Sequence, residues 1–351
     1  MNIKRRILST SELNSKTNDY LDKNYSYAKY GRAIGVKTGL TESQMIECMT
    51  KENPEILVLA ADPVTEKVLA SADHLKYIAC TRSNPSNLDI EACHRKGIII
   101  TNTPGRNANA VAEYTLGLIL CCARSIPQAH MSIKTGECTI EEDSNKASKK
   151  DVVWLHPSIK ELPYLKFRGV EIENSILGII GFGLIGQMVA EKAINLGMKV
   201  LIYDPYISKD FSEDHKYKRT DLNYLLRNSD FVSLHAKVTK ETTKFIGMKE
   251  ISLMKDTAYL INTARGALID HKALYEALLK KKITGAALDV FEYEPLCNSD
   301  PLLQLDNLIL TPHLGGASSD VVNHHSRMVL EDIIKYFKNE ESVRHICSSS
   351  E

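Results

Sequence analysis

The chain has 351 residues, of which 43% are hydrophobic and 25% charged, an ordinary globular composition with length enough for two cores rather than one. Its formal net charge is zero, so bulk electrostatics favour a small-molecule partner and give no reason to expect nucleic acid or a membrane. The eight cysteines are scattered, and the one adjacent pair, Cys121 and Cys122, sits in an apolar run, which fits neither a disulfide framework nor a zinc site, so no metal is expected.

Lys4, Arg5 and Arg6 are followed by polar residues before an apolar signal core can form. No run reaches the roughly 18 apolar residues of a spanning helix. A cytoplasmic location is therefore expected. Residues 1 to about 50 are weakly patterned and rich in Asn, Lys and Tyr. Glu55–Ala60 then reads as a strand, Val64–Ala72 as a helix, Leu75–Cys80 as a strand, Leu88–Lys96 as a helix and Gly97–Asn102 as a strand. This alternation predicts a parallel sheet. From Ala108 to about Ile133 apolar residues recur at helical spacing, with an interruption near Pro127. Residues 137–166 lose periodicity, carry the single tryptophan, Trp154, and read as a surface excursion. A second alternating series follows, with six strands near Ile176–Ile180, Lys199–Tyr203, Phe231–Leu234, Ala258–Asn262, Gly285–Asp289 and Leu308–Thr311. Six suffice for a nucleotide-binding sheet. Ser318 to about Asn339 is a closing helix.

Gly181-Phe182-Gly183-Leu184-Ile185-Gly186 stands between the first of these strands and a helix, and a second strand ends in Asp204 about 20 residues further on. In that setting Gly181 permits the tight turn, Gly183 lets backbone N–H groups reach a pyrophosphate, and Gly186 lets helix and strand pack closely. Asp204 can accept both ribose hydroxyls and would repel a 2′-phosphate, and Pro205 and Tyr206 bring no arginine to offset that. NAD is therefore expected in preference to NADP.

Three loops after later strands carry chemistry: Thr263-Ala264-Arg265-Gly266, Asp289 to Pro295, and Thr311 to Gly316. Residues beyond the carboxyl ends of parallel strands gather in one crevice, so Arg265, Glu294 and His313 can converge despite their separation. Hydride transfer at an alcohol needs a base, and the reverse an acid; histidine serves both. A carboxylate beside it favours the imidazolium and fixes the ring, and a guanidinium fork can hold a substrate carboxylate while polarising the adjacent carbonyl. Taken singly, Arg265 also fits a surface ion pair, Glu294 a loop carboxylate and His313 a turn residue.

Together these motifs resemble the D-isomer-specific 2-hydroxyacid dehydrogenase family, and within it most closely the 3-phosphoglycerate dehydrogenase-like members, over about residues 55 to 340. The resemblance rests on the glycine motif with Asp204-Pro205, on Asn262–Asp270, on Ala286–Pro295 and on Thr311–Gly316. It implies an α/β protein in which a Rossmann NAD-binding domain, residues 109–317, is inserted in a flavodoxin-like substrate domain, residues 1–108 and 318–351. It implies Arg265, Glu294 and His313 as the catalytic triad, and Asp289 as partner of the nicotinamide carboxamide. Further NAD contacts carry over to Thr103, Leu184, Ile185, Ala236, Thr263, Ala264 and Gly316. The family's substrate-carboxylate loop matches Cys80–Asn87, but Arg82-Ser83-Asn84 stands where relatives often have glycines, so side-chain donors replace backbone freedom there. Arg106 lies near the cleft in that picture and, with Arg82, could bind a phosphate or second carboxylate; a solvated arginine is the alternative. The expected activity is NAD-dependent interconversion of a D-2-hydroxy acid and its 2-keto acid, in a homodimer paired through the NAD domain near 137–166. An NAD-sensing corepressor of the same fold is the competing reading. No C-terminal regulatory domain, and hence no serine feedback, is expected.

Overall fold

A computed structural model describes residues 4–140, 154, 159–207 and 217–338. The chain divides into two compact units, residues 1–107 with 317–351, and residues 108–316.

In the first unit the elements run β1 (Arg6–Ser9), α1 (Ser15–Asn24), β2 (Ser26–Lys29), α2 (Glu42–Glu52), β3 (Ile56–Leu59), α3 (Glu66–Ala70), β4 (Tyr77–Cys80), α4 (Ile90–Arg95) and β5 (Ile99–Thr101). The five strands are parallel in the order β2-β1-β3-β4-β5, the flavodoxin-type arrangement. Two strands and two helices thus occupy the first 50 residues, where the sequence has little pattern. β1 has only three buried residues and β2 none, so neither presents a long apolar run. Helix starts follow local chemistry: Asn14, Thr41, Thr65 and Asp89 each accept a hydrogen bond from a backbone N–H in the first turn of α1 to α4.

The second unit begins with α5 (Ala108–Arg124) and α6 (Ile126–Lys134), then α7 (Pro163–Lys166). Ser125, at φ 51°, separates α5 from α6, and Pro127 falls in the first turn of the new helix, where its missing N–H costs nothing. Of the 137–166 excursion, 141–153 and 155–158 lie outside the described residues; Trp154 is exposed. There follow β6 (Ile176–Ile180), α8 (Leu184–Asn195), β7 (Lys199–Tyr203), β8 (Tyr217–Arg219), α9 (Leu222–Asn228), β9 (Phe231–Leu234), α10 (Met248–Ile251), β10 (Tyr259–Asn262), α11 (His271–Leu279), β11 (Gly285–Leu288) and β12 (Leu308–Leu310). The sheet has seven parallel strands, ordered β12-β11-β10-β9-β6-β7-β8, one more than the six expected. The addition is β8, a three-residue edge strand, Tyr-Lys-Arg, with no buried residue to mark it in the sequence. Chains cross over from β6 to β7 on one side and to β9 on the other, which is the doubly wound nucleotide-binding topology with its switch point at β6. Separate apolar clusters cover the two faces of this sheet.

The last helix, α12 (Ser319–Phe337), returns to the first unit. Its Val329 and Ile333 pack with Ile7, Leu21, Ile56, Val58 and Tyr77 on one face of the five-stranded sheet, while Met45, Leu57, Leu59 and Ile78 fill the other.

Candidate active site

The glycine motif forms the turn from β6 into α8. Gly181 has φ 91°, and a Cβ there would lie 2.5 Å from the Ala236 nitrogen, so only glycine lets this turn pass the end of β9. A Cβ on Gly186 would lie 2.3 Å from the Gly181 carbonyl oxygen, which is the close helix–strand approach its position in the motif predicts. Gly183 is different: a Cβ there would meet nothing within 4 Å. It caps α8 without a side-chain hydrogen bond, whereas Asp221, Asp270 and Ser318 cap α9, α11 and α12. The free N–H groups and positive end of α8 therefore open onto a bare backbone cradle, flanked by the exposed Leu184 and part-exposed Ile185. Asp204 ends β7 with its carboxylate locked, one oxygen accepting from Phe182 N–H and the other from Tyr206 N–H, both at 2.8 Å. Each oxygen keeps a lone pair for a hydroxyl. These features fit a dinucleotide: room for the diphosphate at Gly183 and a fixed anion that a 2′-phosphate would have to approach.

Arg265, Glu294 and His313 all lie in this unit, on the loops after β10, β11 and β12. Buried Asn262 holds the first loop, its amide accepting from Ala264 N–H at 3.0 Å and donating to the Arg265 carbonyl at 2.8 Å. Thr263 is tied to α5, its hydroxyl 2.8 Å from that of Thr115. Gly266 then allows the first loop to touch the second, since a Cβ there would stand 2.0 Å from the Phe291 carbonyl carbon. The Arg265 guanidinium is exposed and donates to the Ala264 carbonyl at 2.6 Å.

Glu294 accepts from Phe291 N–H at 3.0 Å through one oxygen and from His313 Nδ1 at 2.6 Å through the other. A carboxylate only accepts, so Nδ1 carries a proton and Nε2 is left for a ligand. Burial alone would raise the Glu294 carboxyl. The His313 bond, the Phe291 N–H and the charges of His313 and Arg265 outweigh it and hold the group below the usual carboxylate range. Beside this pair a cavity of about 510 Å³ is lined by Phe291, Leu296, Leu310 and Pro312 as well as Glu294 and His313.

Asp289 is the organiser of the third loop. It is 1% exposed, and its carboxylate accepts from the Thr311 hydroxyl and from Leu314 and Gly315 N–H groups at 2.7–2.8 Å, while its carbonyl accepts from His313 N–H. His313 sits at φ 57°, a left-handed conformation uncommon for a non-glycine residue. Four hydrogen bonds accepted by this one aspartate, from Thr311, His313, Leu314 and Gly315, hold it there. Gly316 follows directly at the end of the unit.

Part-buried His235, next to Ala236, went unremarked in the sequence. Its Nε2 is 2.8 Å from the Ser233 hydroxyl, and burial pushes its pKa down to about 4, so it stands neutral behind the glycine turn. The motif's flanking residues carry no signal for it.

The remaining sequence-predicted residues belong to the first unit. Arg82, Ser83 and Asn84 form the loop after β4, which is laced to the loop after β5: Thr103 N–H donates to the Arg82 carbonyl, the Ser83 hydroxyl to the Thr103 carbonyl, and the Asn102 amide to the Ser83 carbonyl. Ser83's hydroxyl is thereby turned to its own loop, and Asn84 is exposed with no hydrogen bond among the described residues. The Thr103 hydroxyl is buried without a partner among the described residues. Arg106 is part-buried against α12.

A doubly wound sheet with an uncapped glycine turn and a paired acid and imidazole beside it defines a dinucleotide-dependent α/β protein. Residues 116–315 match the family model of the D-isomer specific 2-hydroxyacid dehydrogenase NAD binding domain, and the chain belongs to that family. It is 40% identical over 308 residues, 88% of the chain, to the D-3-phosphoglycerate dehydrogenase of Methanocaldococcus jannaschii, of whose length it spans 54%. It is 38% identical to the glyoxylate reductase of Thermococcus litoralis, covering 83% of this chain and 82% of that one. Among solved structures, the D-lactate dehydrogenase of Aquifex aeolicus complexed with NAD and lactic acid superposes with a TM-score of 0.67 at 29% identity, covering 95% and 96% of the two chains.

Proposed function

We propose that the protein is an NAD-dependent oxidoreductase that interconverts a D-2-hydroxy acid and its 2-keto acid. The observation that carries this reading is the 2.6 Å His313–Glu294 pair, set in the same unit as the dinucleotide turn. Bound NAD or NADH supplies the hydride acceptor or donor at C2 of the acid. His313 Nε2 takes the hydroxyl proton in oxidation and returns one to the carbonyl oxygen in reduction. Glu294, kept ionised, holds Nδ1–H and stabilises the imidazolium whenever both nitrogens are protonated. Arg265 presents a planar fork to the substrate carboxylate and polarises the adjacent carbonyl. Thr263, Ala264, Ala236 and Gly316 are the residues proposed for the nicotinamide side of the cradle, while Asp289, 1% exposed and with both carboxylate oxygens engaged by the third loop, braces His313 in place of the carboxamide contact that the resemblance implies. In the first unit, Arg82, Ser83 and Asn84 are the proposed carboxylate loop.

NADH absorbance is followed with glyoxylate, hydroxypyruvate, pyruvate and phosphohydroxypyruvate as substrates. Turnover of at least one acid, with kcat reduced by about 10²–10⁴ in His313→Gln, is the expected result. A His313→Gln protein as active as the wild type removes His313 from the chemistry. Replacing Asp204 by Ser should narrow the preference for NAD over NADP by about tenfold or more, one lost charge-assisted contact being worth about 1.5–3 kcal/mol.

A homodimer through the second unit is also proposed. α6 leaves Ile126, Met131 and Ile133 exposed, and Tyr164 and Leu165 of α7 add to the apolar surface of this region. Light scattering of Met131→Asp with Ile133→Asp should report a monomer; an unaltered mass would move the interface elsewhere.

A further inference from the structure

The cavity beside the His313–Glu294 pair lies wholly in the second unit, and most of its wall is apolar. Leu296 and Leu310 each pack against the core cluster on one face of the seven-stranded sheet, a cluster that also contains Phe291. Pro295 directly follows Glu294 and Pro312 directly precedes His313, so the apolar wall begins at the reactive pair itself. At about 510 Å³ the space falls within the roughly 300–1,000 Å³ usual for small-molecule sites.

The charges around the cavity decide what it can take. Among the described residues no lysine or arginine lines it, and its titratable lining groups are Glu294 and His313. Glu294 stands ionised, and His313, when doubly protonated, is already paired with it. The neighbouring guanidinium, Arg265, is exposed on the loop after β10 and is assigned to the C1 carboxylate. A second anionic group inside the cavity would lose water and gain a carboxylate as neighbour, with no free cation to offset either. An apolar group loses nothing polar there, and Phe291, Leu296 and Leu310 shelter it from water.

We propose that this cavity receives the carbons of the substrate beyond C2, and that the preferred substrates are 2-keto and 2-hydroxy acids with a single carboxylate and a branched aliphatic or aromatic side chain. The proposal rests on the dehydrogenase reading, which puts C2 of the acid at His313. Leu296 and Leu310 are then specificity-determining residues: both line the space, and neither carries a group that could move a proton.

Steady-state kinetics of the full chain with NADH compare pyruvate, 4-methyl-2-oxopentanoate, phenylpyruvate and oxaloacetate. A buried methylene is worth about fourfold, so at least one of the two bulky apolar acids should exceed pyruvate in kcat/KM by about tenfold or more. Oxaloacetate, doubly charged, should fall below that acid by about tenfold or more. Leu296→Lys supplies the missing cation and should shift the ratio of oxaloacetate to 4-methyl-2-oxopentanoate by about tenfold or more toward oxaloacetate. If Leu296→Lys does not fold, Leu296→Gln, which makes the wall polar at similar volume, takes its place and should lower the ratio of 4-methyl-2-oxopentanoate to pyruvate. A wild type that favours neither apolar acid over pyruvate, or that takes oxaloacetate as well as the better of them, overturns the proposal. So does a folded Leu296→Lys or Leu296→Gln that keeps the wild-type ratios; if its mass in light scattering has also fallen, the cavity belongs to a second copy of the chain instead.

Failure of the dehydrogenase reading is separable. If no acid is turned over, calorimetry of 4-methyl-2-oxopentanoate against pyruvate tests the cavity alone. Tighter binding of the former that the Leu296 variant abolishes supports the cavity as a side-chain site. Equal or absent binding of the two, or a preference that the variant leaves unchanged, sinks it.

Discussion

Asp289 shows how much one side chain can fix. Removing its carboxylate leaves the Thr311 hydroxyl and the Leu314 and Gly315 N–H groups without their acceptor at a buried point. Each unsatisfied buried group costs about 1–3 kcal/mol, so Asp289→Ala is expected to lose at least about 3 kcal/mol in urea unfolding, with activity falling because His313 is no longer held. A variant as stable as the wild type would mean that the loop re-forms its bonds elsewhere. Glu294→Gln keeps the shape of the pair but removes its charge, and kcat for keto-acid reduction should fall about tenfold to a hundredfold with KM little changed. A change confined to KM would place Glu294 in binding instead. The identity of both residues was readable, since strand-end loops concentrate chemistry in parallel sheets. That Asp289 braces the histidine was not, because its partners stand 22 to 26 positions further along and are mostly backbone.

At the scale of elements, the glycines divide by function. Gly186 and Gly266 are close approaches, Gly183 an open surface. Gly186→Ala should force α8 away from the β6 turn and weaken NADH binding by about tenfold or more in a fluorescence titration, since an overpacked contact costs about 1–3 kcal/mol. Normal affinity would show that α8 can shift without disturbing the cradle. The six strands from β6 to β12 that bear apolar runs were legible, as were the helices after β3 and β4, because fully buried parallel strands read as continuous apolar stretches. β1, β2 and β8 were not. They are three or four residues long, and β2 and β8 are edges without a buried residue, so their identity comes from pairing with β1 and β7.

For the whole molecule, each unit carries a histidine held in its neutral form, buried His325 in one and part-buried His235 in the other, both with pKa near 4. The unfolded chain binds protons at these groups below about pH 6.5, while the folded chain does not until about pH 4. Their contribution is therefore complete above about pH 6.5 and is lost as pH falls toward 4. About 1.36 kcal/mol per pK unit gives up to about 3 kcal/mol for each residue. Calorimetric melting between pH 7 and 4 should show Tm falling across this window, less steeply in His325→Gln. An equal slope in that variant would assign the loss to carboxylates.

By itself the sequence determined the alternation of strands and helices, the dinucleotide turn and the three reactive residue types, because buried strands and tight turns constrain which side chains can stand at each position. Only the tertiary structure decided how those side chains are held. The protonated nitrogen of His313, the bracing by Asp289 and the neutral His325 behind Arg106 depend on hydrogen bonds across up to 313 positions of chain, and hydrogen bonds are set by distance in space.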